Sequence, residues 1–482
     1  MKNLIFNIFM IVVSLQVSAQ NWTEPVNVSN ISGLDSQPAI SIDNNGIYHC
    51  VWVNTIETNY RIVYYSQSED NGLSWTTPEN VSQNTEKWLS HPHIVCDSEN
   101  NLHLTYDYNV GNSSETLIYY KKYNGINWSE AFIVSENWPG SRGNKLIIDH
   151  NDRIYCTWFL DYNNGTGFYR YLENGEWSDV FIPYDNNDYH SLSSCTVDSD
   201  NNLHWIGSHH YNGQNHYNDH PIYFYYDYEN DLWSDIIEFG EYYSNQGFDI
   251  DLDFMEMPHL VYHQYTNSSP PLTDGTFYTY KSEDIWSNPE LIVEDPIEQH
   301  IVIDDNNNVS LFDIEKTNNG SMFIHYYKKL GNWEGVIIDE TTYNTMHTHL
   351  TYHGDKIMVV YLKPFENNLG DIYFSQTDII SKEFTEVFST ATFKVYPNPF
   401  RQKVNIHFEL CKEGKTIINI YNMQAKLLNT LLNENKLPGK YEIIWNGRDE
   451  NGKDVSSGLY LIRLQTGRNI QTRSVEYINK MD

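Results

Sequence analysis

Histidine and tyrosine are the side chains through which this 482-residue chain could do chemistry. One stretch is dense in them: Tyr189 and His190 open YHSLSSCTV, and SHHYNGQNHYNDH adds His209, His210, His216 and His220. An imidazole titrates near neutral pH and a phenol can part with its proton, so the two suit general acid–base work. Taking the proton α to a uronate carboxylate needs such a base, an acid for the leaving oxygen, and a group that neutralises the carboxylate. Other chemistries draw on other residues. The histidines of that loop are ligand types for a metal, although their spacing matches no specific zinc pattern. Asp107, Asp161, Asp313 and Glu315 could supply the paired carboxylates of a glycoside hydrolase, and the surplus of acidic residues makes such pairs easy to find. For any one histidine the bland alternative is a satisfied structural side chain or a solvated loop residue.

The elements that must position these residues repeat. Tryptophan strands recur at NWTEPVNVS (Trp22), SWTTPENVS (Trp75), NWSEAFIVS (Trp128), EWSDVFIPY (Trp177), LWSDIIEFG (Trp233), IWSNPELIV (Trp286) and NWEGVIIDE (Trp333). Between them fall hairpins built on Asp/Asn turns, such as PAISIDNNGIYHCVWV from Pro38 and PHIVCDSENNLHLTYDY from Pro92. A third strand follows each hairpin, as in RIVYYSQ and TLIYYKK. Seven units of four short strands, with little room for helices, predict an all-β fold: a seven-bladed β-propeller. The chain starts with a lone tryptophan strand and its seventh unit ends after three strands, so the N-terminal strand should complete the last blade and close the ring.

Topology then selects a face. Turns joining strands one to two and three to four share one side of such a ring, and the chain runs into strand one and out of strand two on the other. The strand-one starts carry His91 and His93, Arg142 with Asn144, Tyr189 and His190, Gln246, His300, and His347 with His349. The strand-two ends carry Trp52, Tyr106 to Tyr108, Trp158, Asp161, His209 and His210, Tyr262 and His263, Asp313 with Glu315, and Tyr361. Several histidines converging on one face favour a site there, with His91, His93, Arg142, Trp158, Tyr189, His300 and His349 as substrate contacts.

Ser68, Asp70, Gly72 and Trp75 in SEDNGLSW resemble the S-x-D-x-G-x-[ST]-W Asp-box of sialidase-type propellers. That resemblance implies the fold, with the box on the turn face, away from a site. A sialidase needs an arginine cluster for its substrate carboxylate; the blades hold only Arg61, Arg142, Arg153 and Arg170, so the likeness stops short of that active site. DYHSLSSCTVDSDNNLHWIGSHH, residues 188–210, is similar to the corresponding blade of propeller polysaccharide lyases such as the ulvan lyases. The resemblance implies a catalytic set of His190 as base or carboxylate ligand, His209 or His210 as its partner, and Tyr262 as acid. His263 stands where a neutralising arginine is expected, which makes Arg142 the substitute.

The tail has another character. YPNPF at Tyr396–Phe400 and SSGLYLIRL at Ser456–Leu464 resemble the type A C-terminal sorting domain of the Bacteroidetes type IX secretion system, which implies export and surface attachment or release. Alternating strands and an Asp-Glu-Asn-Gly turn suit a small β-sandwich. At the other end, Lys2, the apolar run from Leu4 to Val13 and Val17-Ser18-Ala19 form a secretory signal peptide. The organisation expected is therefore signal peptide 1–19, propeller 20–380, linker 381–392 and sorting domain 393–482, with no transmembrane segment once the signal is removed. Residues 21–392 hold 15 Lys and Arg against 55 Asp and Glu, whereas 393–482 hold 14 against 9. Such an acidic body repels phosphate backbones, so nucleic acid is not an expected partner. The five cysteines form no C-x-x-C pair, and Cys50, Cys96, Cys156 and Cys195, all on expected inner strands, are read as buried free thiols ahead of a disulfide between adjacent blades. No cofactor or metal is expected, with room left for a structural cation. A carbohydrate-active enzyme using lyase chemistry ahead of hydrolysis is the favoured reading, beside a propeller that only binds glycan through its aromatic side chains.

Overall fold

The computed structural model describes residues 22–478 apart from short stretches, the longest being 84–87, 161–166, 184–188, 211–219, 240–246, 265–274, 342–346 and 379–392. The expected signal peptide and linker thus lie outside the described residues. The chain divides into two units, residues 1–379 and 380–482, and every described element is a strand or turn.

In the first unit the described strands form seven antiparallel blades. Blade 2 shows the plan: Trp88–Cys96, Leu102–Asn109, Thr116–Tyr123 and Phe132–Ile133 in order from one edge to the other. Blade 7 is Thr348–His353, Lys356–Phe365 and Leu369–Asp378, and its fourth strand is Val26–Asn27, with Val26 opposite Phe374. Thr23 N–H to the Gln376 carbonyl at 2.9 Å and Val28 N–H to that of Ile372 at 2.8 Å extend the pairing. The ring is closed by the N-terminal strand, as the strand count predicts.

Adjacent blades are joined by one repeated contact. Each outer-strand tryptophan packs edge-on against an aromatic ring in the third strand of the preceding blade: Trp128 on Tyr65, Trp177 on Tyr120, Trp233 on Tyr169, Trp286 on Tyr223 and Trp333 on Tyr278. Trp22 on His325 and Trp75 on Phe374 complete the circuit. Centroid separations run from 5.0 to 6.3 Å and interplanar angles from 62° to 90°. The edge-on geometry sets each positive ring edge against a negative π face.

The turn face is tied down by carboxylates. Asp70 accepts the Ser74 N–H and hydroxyl at 2.9 and 2.6 Å, while Ser68 Oγ accepts Gly72 N–H at 2.9 Å. Gly72 has φ of 81°, and a Cβ there would overlap the Phe374 ring, so both backbone conformation and space demand glycine. Each Asp/Asn turn uses its aspartate similarly, as Asp97 does with Glu99 and Asn101 N–H at 3.0 and 2.7 Å. In four blades that aspartate also meets a buried histidine whose other nitrogen pairs with a tyrosine: His103 lies 3.1 Å from Asp97 and 2.8 Å from Tyr120 Oη, His204 3.2 Å from Asp198 and 2.7 Å from Tyr223 Oη. His49 and His259 repeat this with Tyr65 and Tyr278. Recurrence in four blades marks these His–Tyr–Asp sets as structural. The four described cysteines, Cys50, Cys96, Cys156 and Cys195, are free.

The second unit is a sandwich. One sheet pairs Phe393–Tyr396, Val404–Leu410 and Gly439–Trp445; the other pairs Leu427–Lys436, Gly414–Asn422, Gly458–Thr466 and Asn469–Tyr477. Phe400, Trp445, Tyr460 and Tyr477 fill the core between them, and the expected Asp-Glu-Asn-Gly turn closes on Asp449, which accepts Asn451 and Lys453 N–H.

His325 departs from the interblade pattern in a testable way. It is fully buried against Trp22 and Phe312, with neither ring nitrogen hydrogen-bonded, because Ser310 stands where blades 1, 2, 4 and 5 have the bridging histidine. Burial pushes its pKa down to about 3, against roughly 6.5 in an unfolded chain. Between those values the unfolded state binds a proton the native state refuses, so stability is lost as pH falls below about 6.5. His325→Phe, the side chain of Phe374 in blade 7, should raise the melting temperature more at pH 5 than at pH 8; an equal shift at both would contradict this account.

Candidate functional site

The first strand of each blade starts on the face opposite the Asp/Asn turns, and in most blades it starts with a bulge. Pairing slips between Ser36 and Ala39, Ser90 and His93, Arg142 and Lys145, Leu192 and Ser194, and Pro296 and Glu298. A bulge inserts one unpaired residue and re-aims its neighbours. Gln37, His91 and Gly143 take positive φ there, His91 at 47°, and Gly247 does so just before the first strand of blade 5. Glycine adopts this freely, whereas a histidine is strained, the kind of cost that clusters at functional sites.

Near the start of its first strand, each blade contributes a side chain to a common level: Ala39, His93, Lys145, Ser194, Asp249, His300 and His349, opposite Val51, Thr105, Thr157, Ile206, Val261, Phe312 and Val360 in the second strands. Six of these seven, all but Ala39, line a cavity of about 360 Å³ together with Gln37, His91, Asn144, Glu298 and His347.

Two halves of this cavity differ electrostatically. On one side His300 is held between Asp249, at 3.4 Å from Nδ1, and Glu298, at 3.0 Å from Nε2. Burial opposes its charge, but the two carboxylates outweigh burial and raise its pKa to about 9. Burial likewise works against ionising Asp249 and Glu298, and His300 more than offsets it, holding both below the usual carboxylate range. Ser194 Oγ donates to Asp249 at 2.7 Å and Thr348 Oγ1 to Glu298 at 3.1 Å. On the other side His93 and His349 are neutral: burial, with further depression from neighbouring positive groups including Lys145, pushes their pKa down, that of His349 to about 3.

At the cavity wall His91 forms a dyad with Asp107. Nδ1 lies 2.7 Å from Asp107 Oδ2, and the carboxylate is buried while the His91 side chain is 46% exposed. Asn144 Nδ2 donates to Asp107 Oδ1 at 2.6 Å, Gly143 N–H to Oδ2 at 3.2 Å, and Gln37 Oε1 accepts the His91 N–H at 2.9 Å. Asp107 thereby commits Nδ1 as a donor and leaves the Nε2 lone pair to take a proton. Burial lowers the His91 pKa, the Asp107 carboxylate raises it by more, and Arg142 and Arg61 pull partly back; the balance is upward.

Of the residues expected from sequence, His91, His93, His300 and His349 meet in this cavity. Arg142 is half-buried on the first strand of blade 3, its charge reaching His91. Trp158 and Tyr262 do not line it: Trp158 stacks on Phe168 and Tyr262 on Phe277 within interblade cores, both essentially without solvent exposure. Burial raises the Tyr262 pKa further, which disfavours proton donation. His263 is buried, its N–H donating to Gly247. In blade 4, Tyr189 faces His210 and His190 faces His209 across the hairpin; their side chains lie outside the described residues, as do Asp161, His216 and Gln246. Lys145, Asp249 and Glu298 were not singled out by sequence. Aligning the seven first strands on their apolar residues puts Lys145 and Asp249 level with His93, His300 and His349, and that alignment is the signal that could have found them. Arg153, bonded to Glu173 and Tyr228, and Arg170, bonded to backbone carbonyls, are structural, which leaves no arginine cluster of the sialidase kind among the described residues.

Residues 394–476 match the secretion system C-terminal sorting domain family. The protein is accordingly a secreted one, exported through the type IX system. No curated protein matches the chain in sequence. Among solved structures, an ulvan lyase of a polysaccharide lyase family, bound to -[GlcA(1-4)Rha3S]-, is similar over 73% of this chain and 95% of its own, with 12% identity and a TM-score of 0.53. The same enzyme type solved separately covers 72% and 93%, with 12% identity and a TM-score of 0.52. A Hadza microbial sialidase covers 72% and 66%, with 10% identity and a TM-score of 0.41. What the first two share with this chain is the propeller fold. Among the described residues no helix is long and apolar enough to cross a membrane.

The dyad makes a direct prediction. Replacing Asp107 with Asn removes the negative charge that does most to favour the protonated imidazole, so the His91 pKa should fall below its native value. Imidazole proton shifts followed by NMR against pH measure it; an unchanged midpoint would show that Asp107 does not set the charge of His91.

Proposed function

We propose that the propeller cleaves an acidic extracellular polysaccharide by β-elimination at this cavity, with His91 as the base. The observation that carries the reading is the His91–Asp107 dyad: an imidazole on strained backbone, oriented by a buried carboxylate, with its free nitrogen at a cavity wall. His91 Nε2 takes the proton on the carbon α to a uronate carboxylate, and the oxygen substituent on the β carbon departs. The imidazolium so formed can return its proton to that oxygen, so one residue can serve both steps. Arg61 and Arg142, whose charges reach His91, suit the carboxylate's growing negative charge.

Hydrolysis is the weaker reading for the same cavity. A glycosidase needs one carboxyl kept protonated as an acid, whereas Asp249 and Glu298 are both held ionised by the His300 between them. Asp313, raised well above the usual range by burial, bonds Thr276 at 2.7 Å and does not line the cavity.

The test is turnover on uronate-containing and neutral polysaccharides, following ultraviolet absorbance of an unsaturated uronate together with reducing ends. Both signals should rise, and His91→Ala should lower the rate by about 10²-fold or more while the protein still folds. Because the base acts unprotonated, the rate should increase as pH rises through a value above 6.5, the ordinary histidine pKa, and Asp107→Asn should move that limb to lower pH. Reducing ends alone would mean hydrolysis; neither signal, with retention on a polysaccharide gel, would mean a binding propeller. His190→Ala and His209→Ala test the blade 4 pair separately: full activity in each variant removes that histidine from the chemistry.

A further inference from the structure

His93 and His349 belong to blades 2 and 7, and they meet because the blade between them contributes only Ala39 at this level. Their Nε2 atoms are 3.2 Å apart, with the rings at 76°. Each Nδ1 faces a backbone N–H of the following blade: Leu146 N–H donates to His93 at 3.4 Å and Ile40 N–H to His349 at 3.3 Å. A backbone N–H can only donate, so both Nδ1 atoms carry lone pairs and each neutral ring holds its proton on Nε2. Two Nε2–H groups then lie 3.2 Å apart, and neither can accept from the other. A metal ion would not resolve this, since it would need both Nε2 lone pairs and would drive the protons onto Nδ1, against the two backbone N–H groups. An oxygen with two lone pairs would resolve it. Lys145 lines the same cavity and its charge is felt by both rings.

We propose that His93, His349 and Lys145 form an oxyanion subsite, which takes one negatively charged group of an acidic glycan, a carboxylate or a sulfate ester, one oxygen of which accepts from both Nε2–H donors. This deepens the reading of the cavity as a glycan site and rests on it. It also answers the net charge of −34: the long-range field of the chain disfavours a polyanion, but contacts inside a cavity are little screened and can outweigh it locally.

The experiment is calorimetric titration of the full-length protein with sodium glucuronate, glucose 6-sulfate and methyl glucoside. None of these probes has a glycosidic bond to a second sugar, so cleavage and binding are read apart: turnover can fail while the subsite holds, and the reverse. Either anion should bind more tightly than the neutral sugar, and the tighter of the two names the group that the subsite takes. His93→Leu and Lys145→Met should each weaken that anion by about tenfold or more, a loss of ~1.4 kcal/mol. His93→Gln, which keeps a side-chain N–H donor, should retain most of the affinity, an outcome that a merely structural histidine would not distinguish from leucine. Thermal melting checks that each variant folds. Anions binding no better than methyl glucoside, or unchanged anion affinity in folded His93→Leu and Lys145→Met, would overturn the proposal.

Discussion

The edge-on contact between a tryptophan and the preceding blade's third strand is the interaction on which the first unit depends. A four-stranded blade is too thin to hold a core of its own, and its apolar faces are buried only against its neighbours. Seven tryptophans supply seven such joints. Two of them bracket the closure, Trp22 against blade 6 and Trp75 against blade 7, and the strand from Val26 supplies the hydrogen bonds that blade 7 would otherwise leave open. Aromatic pairs of this geometry contribute about 0.5–1.5 kcal/mol each beyond the area they bury, but the larger effect is geometric. Equal joints set equal rotations between blades, so the seven first strands surround one axis at one level.

That level is where chemistry becomes available. A side chain at a strand-one start costs the fold little, because it lies at the edge of the packed sheet, where in five of the seven blades pairing is already broken by a bulge. His93, Lys145, Asp249, His300 and His349 occupy it in place of the alanine that blade 1 keeps. Their mutual charges then sort them. His300 is a cation because two carboxylates grip it, while His93 and His349 are neutral because burial and nearby positive charge strip them of protons. One residue type thus plays opposite electrostatic roles within a single cavity.

Histidine content was a mixed signal for that reason. His49, His103, His204 and His259 fall at the same place in their hairpins and bridge an aspartate to a tyrosine. Each set looks like a catalytic triad in composition and is a buried brace in practice. The His91–Asp107 pair has similar ingredients, yet it occurs at a bulge, on left-handed backbone, with the imidazole partly exposed. Repetition separates the two classes: the brace recurs in four blades, whereas among the described residues the dyad occurs in blade 2 alone.

The seven units, the closure by the N-terminal strand, the sorting tail and the face that carries the cavity were all legible in the sequence, because each follows from spacing: one tryptophan per unit, a strand count that leaves one blade short, and an alternation of turns between two faces. Which side chains reach the cavity was not legible. Composition does not show which face of a strand a residue takes, so Tyr262 and Trp158, chosen for their place at strand ends, turn into interblade cores, while Lys145 and Asp249 line the cavity, Lys145 one residue past a first-strand bulge. The tautomers that set His93 against His349 depend on backbone N–H groups of other blades, some 50 or more residues away in the chain. Sequence determines such a ring through local periodicity; only the closed tertiary structure decides which charges face one another across it.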